Sequence, residues 1–147
     1  MQIDLSHLQY TFGTKPLLIG GKAMEYYGLR RAGEDIDFVI TKEDYHLLAK
    51  QYPNDTTDLF GDLGVCVHNL ELWTSIMLFD YDFLSASAIQ EAGFNVIALD
   101  KLLFLKTLAI DELKYLYDVQ LIVKKIHAIQ YGKDATYGSD FFSPGKR

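Results

Sequence analysis

An apolar run, Leu17-Leu18-Ile19, ends in two glycines, Gly20 and Gly21. A second run, Asp35-Ile36-Asp37-Phe38-Val39-Ile40, opens with aspartates at alternate positions. Thirteen residues lie between the glycines and Asp35, enough for a short helix and a return loop. This strand–helix–strand unit constrains the chain more than any other feature. Backbone can approach a phosphate closely where no Cβ intervenes. Two carboxylates at i and i+2 on a strand share a face, so they can hold metal ions together. The pattern is what a site for a nucleoside triphosphate and a divalent metal needs. A D-x-D pair also describes a turn cap followed by a solvated edge-strand position. Against that, Ile36, Phe38, Val39 and Ile40 are too apolar for a strand with one fully solvated face.

The rest of the chain reads as alternating elements. Leu17–Gly20 is a buried strand, Lys22–Leu29 two helical turns, and Ile36–Ile40 the second strand. Thr41 is an N-cap with Asp44 three residues on, which predicts a helix over Lys42–Gln51. Pro53-Asn54-Asp55 stops it. Val65–Trp73 and Ser75–Phe79 carry β-branched and aromatic residues and read as strands. A short helix near Asp82–Ile89 and a strand over Phe94–Leu99 follow. Asp100 caps a helix over Lys101–Ile110, and a second helix runs over Asp111–Gln130. Beyond Tyr131-Gly132 the sequence is polar and Gly-rich, and is expected to be a loosely held tail. The order predicts an α+β fold: a mixed β-sheet with helices packed mainly on one side, closed by C-terminal helices.

At 147 residues the chain is expected to form one domain around one core. Apolar residues make up 49% and charged residues 23%, a globular balance. No apolar run approaches the roughly 18 residues of a membrane span. Met1-Gln2-Ile3-Asp4 lacks the basic start of a signal peptide. Both observations fit a cytoplasmic protein without a membrane role. The net charge of −6 divides unevenly: residues 1–100 hold six Lys/Arg against fifteen Asp/Glu, and residues 101–147 hold eight against five. An acidic half is a poor platform for a nucleic-acid backbone. It suits a site that takes metal first and phosphate through the metal. The lysines of the basic half either face phosphate or form the solvated face of the last helix.

The segments Leu18-Ile19-Gly20-Gly21-Lys22-Ala23, Tyr27-Gly28-Leu29-Arg30-Arg31 and Asp35-Ile36-Asp37-Phe38-Val39 together resemble the signature of the nucleotidyltransferase superfamily, the polymerase-β-like fold. The similar branch holds small bacterial nucleotidyltransferases, among them antibiotic-modifying enzymes and toxins of abortive-infection toxin–antitoxin pairs. The likeness is sharp over residues 17–40 and weaker over Val96–Lys106 and Lys114–Asp118. It implies a nucleotidyltransferase-like fold and transfer of a nucleoside monophosphate from an NTP to an acceptor hydroxyl. It further implies two Mg²⁺ ions held by Asp35, Asp37 and a third carboxylate on a later strand. Glu71, set between Leu70 and Leu72, fits that place, since a lone acid among leucines is costly to bury without a partner or a metal. Its other reading is an outward-facing strand position. The resemblance also implies that Gly20 and Gly21 cradle the β- and γ-phosphates and that Arg31 and Lys106 contact phosphate. Arg31 could instead pair with a carboxylate, and Lys106 could snorkel to water. Lys114 and Asp118 have the spacing of an i, i+4 pair. One departure stands out: two residues before the first aspartate the family often has Thr or Ser, and here it is Gly33.

The acceptor implied is a small hydroxylated molecule, an RNA end or a protein side chain. A rival reading is a non-catalytic nucleotide-binding protein that acts through a partner, such as one half of a toxin–antitoxin pair. The wide apolar content of the last helix allows an oligomer or an antitoxin-like partner, although a fully packed core helix is the plainer account. His7, His46, His68 and His127 show no metal-ligand spacing. Cys66, the sole cysteine, is expected in the core. Tyr26 and Tyr27 are the aromatics nearest the proposed site.

Overall fold

The computed structural model describes residues 2–132; the tail after Gly132 lies outside the described residues. The architecture is α+β and divides into two compact units, one ending at Ala98 and one beginning at Leu99.

The first unit is built on a mixed sheet. In chain order its elements are β1 (Leu17–Ile19), α1 (Gly20–Tyr26), β2 (Ile36–Val39), α2 (Lys42–Gln51), β3 (Thr56–Leu59), β4 (Asp62–Val67) and β5 (Leu70–Trp73). There follow β6 (Ser75–Ile76), β7 (Phe79–Asp80), α3 (Tyr81–Leu84), β8 (Ile89–Gln90) and β9 (Asn95–Val96). Seven strands form one sheet in the order β3-β4-β5-β2-β1-β9-β8, and β6 and β7 form a separate hairpin. The β2/β5 and β1/β9 pairs are parallel and the others antiparallel. The register puts Val65, Leu72, Phe38, Leu18 and Val96 in one row across five strands, and all five are fully buried. That row is the centre of the core. Truncating Phe38 there to Ala is expected to cost about 3–5 kcal/mol.

Two loops are tied to this sheet by carboxylates. Thr41 caps α2 as the sequence predicts, its Oγ1 accepting from the Asp44 amide at 3.2 Å. The Asp44 side chain reaches further. It accepts from Tyr10 Oη at 2.6 Å, from the Gly13 and Thr14 amides at 2.9 and 3.1 Å, and from Thr41 Oγ1 at 3.2 Å. Burial alone would raise its pKa, but these donors outweigh it and hold the carboxyl below its ordinary value. Burial and the Asp44 hydrogen bond together push the Tyr10 phenol up to about 12. Asp62 does similar work at the β6–β7 hairpin, accepting from Ser75 Oγ and from the Met77 and Leu78 amides at 2.6–2.8 Å. It holds a turn in which Met77 and Leu78 both have positive φ, 47° and 69°. The β3–β4 turn, Phe60-Gly61, is of the same kind, with φ of 52° and 98°. Left-handed backbone costs a residue with a Cβ about 1–2 kcal/mol, and Asp62 offsets part of that at the β6–β7 turn.

Several boundaries differ from the sequence reading. Helix α1 starts on Gly20 itself and ends at Tyr26. The run read as one strand over Val65–Trp73 is two antiparallel strands folded at His68-Asn69, with His68 at φ 57°. Strand β9 is only two residues, because Leu99 already begins the next helix. Two strands are not predicted by the sequence: β3, whose four residues are all exposed and so show no apolar alternation, and β8, whose Ile89 the sequence reading puts at the end of a helix that in fact stops at Leu84.

The second unit holds α4 (Leu99–Thr107) and α5 (Leu113–Tyr131). Between them Lys106 Nζ lies 3.0 Å from Asp118 Oδ2, with both side chains buried. Lys106 therefore does not snorkel to water. Asp118 is bound to Lys106, whereas Lys114 Nζ lies 3.7 Å from Glu112. Among the described residues no helix is long and apolar enough to cross a membrane.

Candidate functional site

The row next to the core row runs across Cys66, Glu71, Asp37 and Ile19, one residue from each of β4, β5, β2 and β1. Because adjacent positions along a strand face opposite ways, these side chains lie on the face opposite the Phe38 row. Asp37 and Glu71 are direct neighbours on parallel strands and both are half-buried. Like charges placed side by side on neighbouring strands repel one another. Glu71 lies on β5, in register with Asp37 on β2.

Gly20 closes the end of this row. It follows Ile19, the register partner of Asp37, and has φ +65°. A Cβ on it would lie 2.7 Å from Asp37 Oδ2. Only glycine satisfies both the backbone and the approach. Gly21 is next: a Cβ there would meet Arg30 Nη1 at 3.6 Å. The guanidinium the structure brings to the glycine pair is therefore that of Arg30, which also donates to the Arg31 carbonyl at 2.9 Å. Arg31 is exposed beside it. Arg30 is exposed as well; the tandem Arg30-Arg31 was the available signal, but sequence does not say which of two adjacent side chains approaches the glycines. Glu25 steadies the return loop, accepting from the Ala32 amide at 3.3 Å and pairing with Lys22 at 3.5 Å.

Asp35 does not lie on the strand. It is exposed, one residue before β2 begins, so the same-face argument does not extend to it. Among the described residues no three His, Cys, Asp or Glu side chains form a ready-made cation cage. Cys66 is exposed rather than in the core, and sits opposite Glu71. Its thiol is pushed up by partial burial and then by the negative charges of Glu71, Asp37 and Asp55, an electrostatic sign of how close these groups stand. Tyr26 and Tyr27 both have engaged hydroxyls. Tyr26 Oη donates to Glu91 at 2.9 Å and Tyr27 Oη to the Ile97 carbonyl at 2.7 Å. Lys106 belongs to the second unit, where its ammonium is paired with Asp118 and lies 4.9 Å from the Tyr115 ring centroid.

The fold and this row define an α+β protein that carries two adjacent carboxylates beside a Cβ-free backbone turn. Compared with known proteins, the chain matches no family model, no curated protein and no solved structure.

Proposed function

We propose that the protein is a metal-dependent nucleotidyltransferase that moves a nucleoside monophosphate from an NTP to an acceptor hydroxyl. The observation that carries this reading is the close approach of Gly20 to Asp37, with Glu71 in register beside it. Mg²⁺ commonly takes one or two protein carboxylates, keeps several waters and completes its shell with substrate phosphates. Asp37 and Glu71 fit that requirement, and Asp35 is near enough in sequence to join from its loop. Metal bound there would neutralise phosphate charge and ease deprotonation of the acceptor.

The chain's own residues supply the rest. Gly20 and Gly21 offer backbone that the triphosphate can approach without meeting a Cβ. Arg30 and Arg31 supply positive charge beside them. The carboxylates fix where the phosphates lie relative to the acceptor, so catalysis is mainly positioning and charge neutralisation. A small hydroxylated molecule, an RNA end and a protein side chain are the acceptors to try. The nucleotidyltransferase-like form of the fold belongs to the same proposal.

A second reading, a nucleotide-binding protein without turnover that works through a partner such as an antitoxin, draws on Asp35 standing off the strand and on Gly33. The deciding experiment incubates the full chain with each labelled NTP and Mg²⁺ and follows transfer of label. Calorimetry with the same nucleotides, with and without Mg²⁺, runs alongside. Mg²⁺-dependent binding and transfer that vanish in Asp35→Asn/Asp37→Asn support the enzyme. Binding without transfer supports the second reading. Transfer unchanged in the double variant sinks the assignment.

A further inference from the structure

Strand β3 is the terminal strand of the seven-stranded sheet, and all four of its residues are exposed. The Cys66 amide donates to the Asp55 carbonyl at 2.9 Å, and Leu59 pairs with Asp62 across a two-residue turn. In an antiparallel ladder, hydrogen-bonding direction alternates along the strand. The inward positions are therefore Asp55, Thr57 and Leu59, and the amides and carbonyls of Thr56 and Asp58 point away from β4. An edge of that kind is a template for another strand.

The edge runs into an apolar tip. Phe60 is 96% exposed and Leu78 68%. A Cβ on Gly61 would lie 3.0 Å from Leu78 Cδ2, so the two turns adjoin. Phe60, Met77 and Leu78 occupy left-handed turn positions where Asn or Gly suits the backbone. The fold alone would not select large apolar residues there. Exposed contiguous apolar surface of this kind marks an interaction site.

Charge narrows the occupant. Residues 51–80, which include the edge and both tips, contain five Asp/Glu and no Lys or Arg. We propose that the β3 edge and the Phe60–Leu78 tip receive an extended, basic segment of a partner protein, which adds as a strand and seats an apolar side chain against the tip. Main-chain pairing gives such strand addition its affinity, and alternate side chains give it specificity. The same acidity repels a nucleic-acid backbone or an anionic membrane. A second copy of β3 would bring one acidic edge against another.

The test uses the full chain and short labelled peptides of alternating Lys and Val with a central Leu, followed by fluorescence anisotropy. Controls are the Glu-for-Lys peptide, a proline-interrupted peptide and phosphatidylserine vesicles. The Lys/Val peptide is expected to bind saturably and to weaken as salt rises, while the controls do not bind. Phe60→Asn/Leu78→Asn is expected to weaken binding at least about tenfold while leaving Tm unchanged or raised, because Asn suits the turn positions. Thr56→Pro removes one outward amide, is tolerated on an edge, and is expected to weaken binding similarly. Absent binding, equal binding in these folded variants, or binding of vesicles instead overturns the proposal. A concentration-dependent dimer in sedimentation that is lost in Phe60→Asn also overturns it, assigning the surface to a second copy.

Discussion

Asp44 and the Asp37–Glu71 pair lie at opposite ends of the β1–β2 hairpin. Asp44 holds the loop that enters β1 at Leu17, the partner of Val39, while Asp37 lies opposite Ile19, where β1 ends. Asp44 gathers four donors from its own chain. Asp37 and Glu71 face each other as like charges on neighbouring strands. Asp44 is tied by these donors to the loop before β1, whereas Asp37 and Glu71 are held side by side on parallel strands. That contrast separates a structural acid from a candidate functional one more sharply than sequence spacing does.

The strongest way to break the contrast is Asp35→Asn/Asp37→Asn. Transfer of label is expected to fall by about a thousandfold, the several kcal/mol a bound metal supplies at 1.36 kcal/mol per decade. Its thermal shift is expected to be smaller than that of Asp44→Ala. If Tm collapses instead, Asp37 is structural and the distinction fails. Asp44→Ala should show the reverse, losing about 1–3 kcal/mol in urea titration as the half-buried Tyr10 phenol and two amides lose their acceptor. Transfer per folded molecule should be unchanged.

Acid sharpens the same point. The folded pKa of Asp44 is lowered, so the unfolded chain binds the proton more readily. Its contribution is whole above the unfolded value of about 3.9 and is lost as pH falls through the folded pKa. Denaturation curves below about pH 4 are expected to steepen in the native protein and flatten in Asp44→Asn. Gly20→Ala probes the junction between fold and site. A Cβ 2.7 Å from Asp37 Oδ2 at φ +65° is expected to cost about 2 kcal/mol and to remove transfer. An alanine variant with native Tm and activity would dismiss the close approach. The smallest effect is expected from Gly33→Thr. Nothing lies within 4 Å of a Cβ there, so Tm should move little, within about 0.5 kcal/mol. A hydroxyl there is expected to raise transfer a few-fold. No change would show that a hydroxyl at position 33 plays no part in transfer.

What the sequence disclosed follows from where burial leaves a pattern. The Leu17–Ile19 and Ile36–Val39 runs were legible because both are buried, and the diglycine because it breaks one of them. The α+β class followed from the order of elements. Glu71 was legible as an acid between buried leucines. Strand β3 was not, because Thr56-Thr57-Asp58-Leu59 buries nothing. Cys66 was misplaced because the run from Val65 to Trp73 hides a turn, so its apolar letters belong to two strands rather than one. The Lys106–Asp118 pair could not be foreseen, since the break between α4 and α5 sets which helical faces meet. Asp35 looked like a strand residue because it differs from one by a single position. No spacing rule fixes where a strand begins to that accuracy.

Gly64 lies beneath the Trp73 ring so closely that a Cβ would sit 2.6 Å from Cε3. Trp73 is the sole tryptophan, in register with Gly64 and two residues along β5 from Glu71. The molecule therefore carries one built-in fluorophore, lodged on a glycine seat beside the candidate centre. Its emission will report separation of β4 from β5 during unfolding. If a nucleotide binds on the Glu71 face, quenching of that emission is expected to report it, with no label attached.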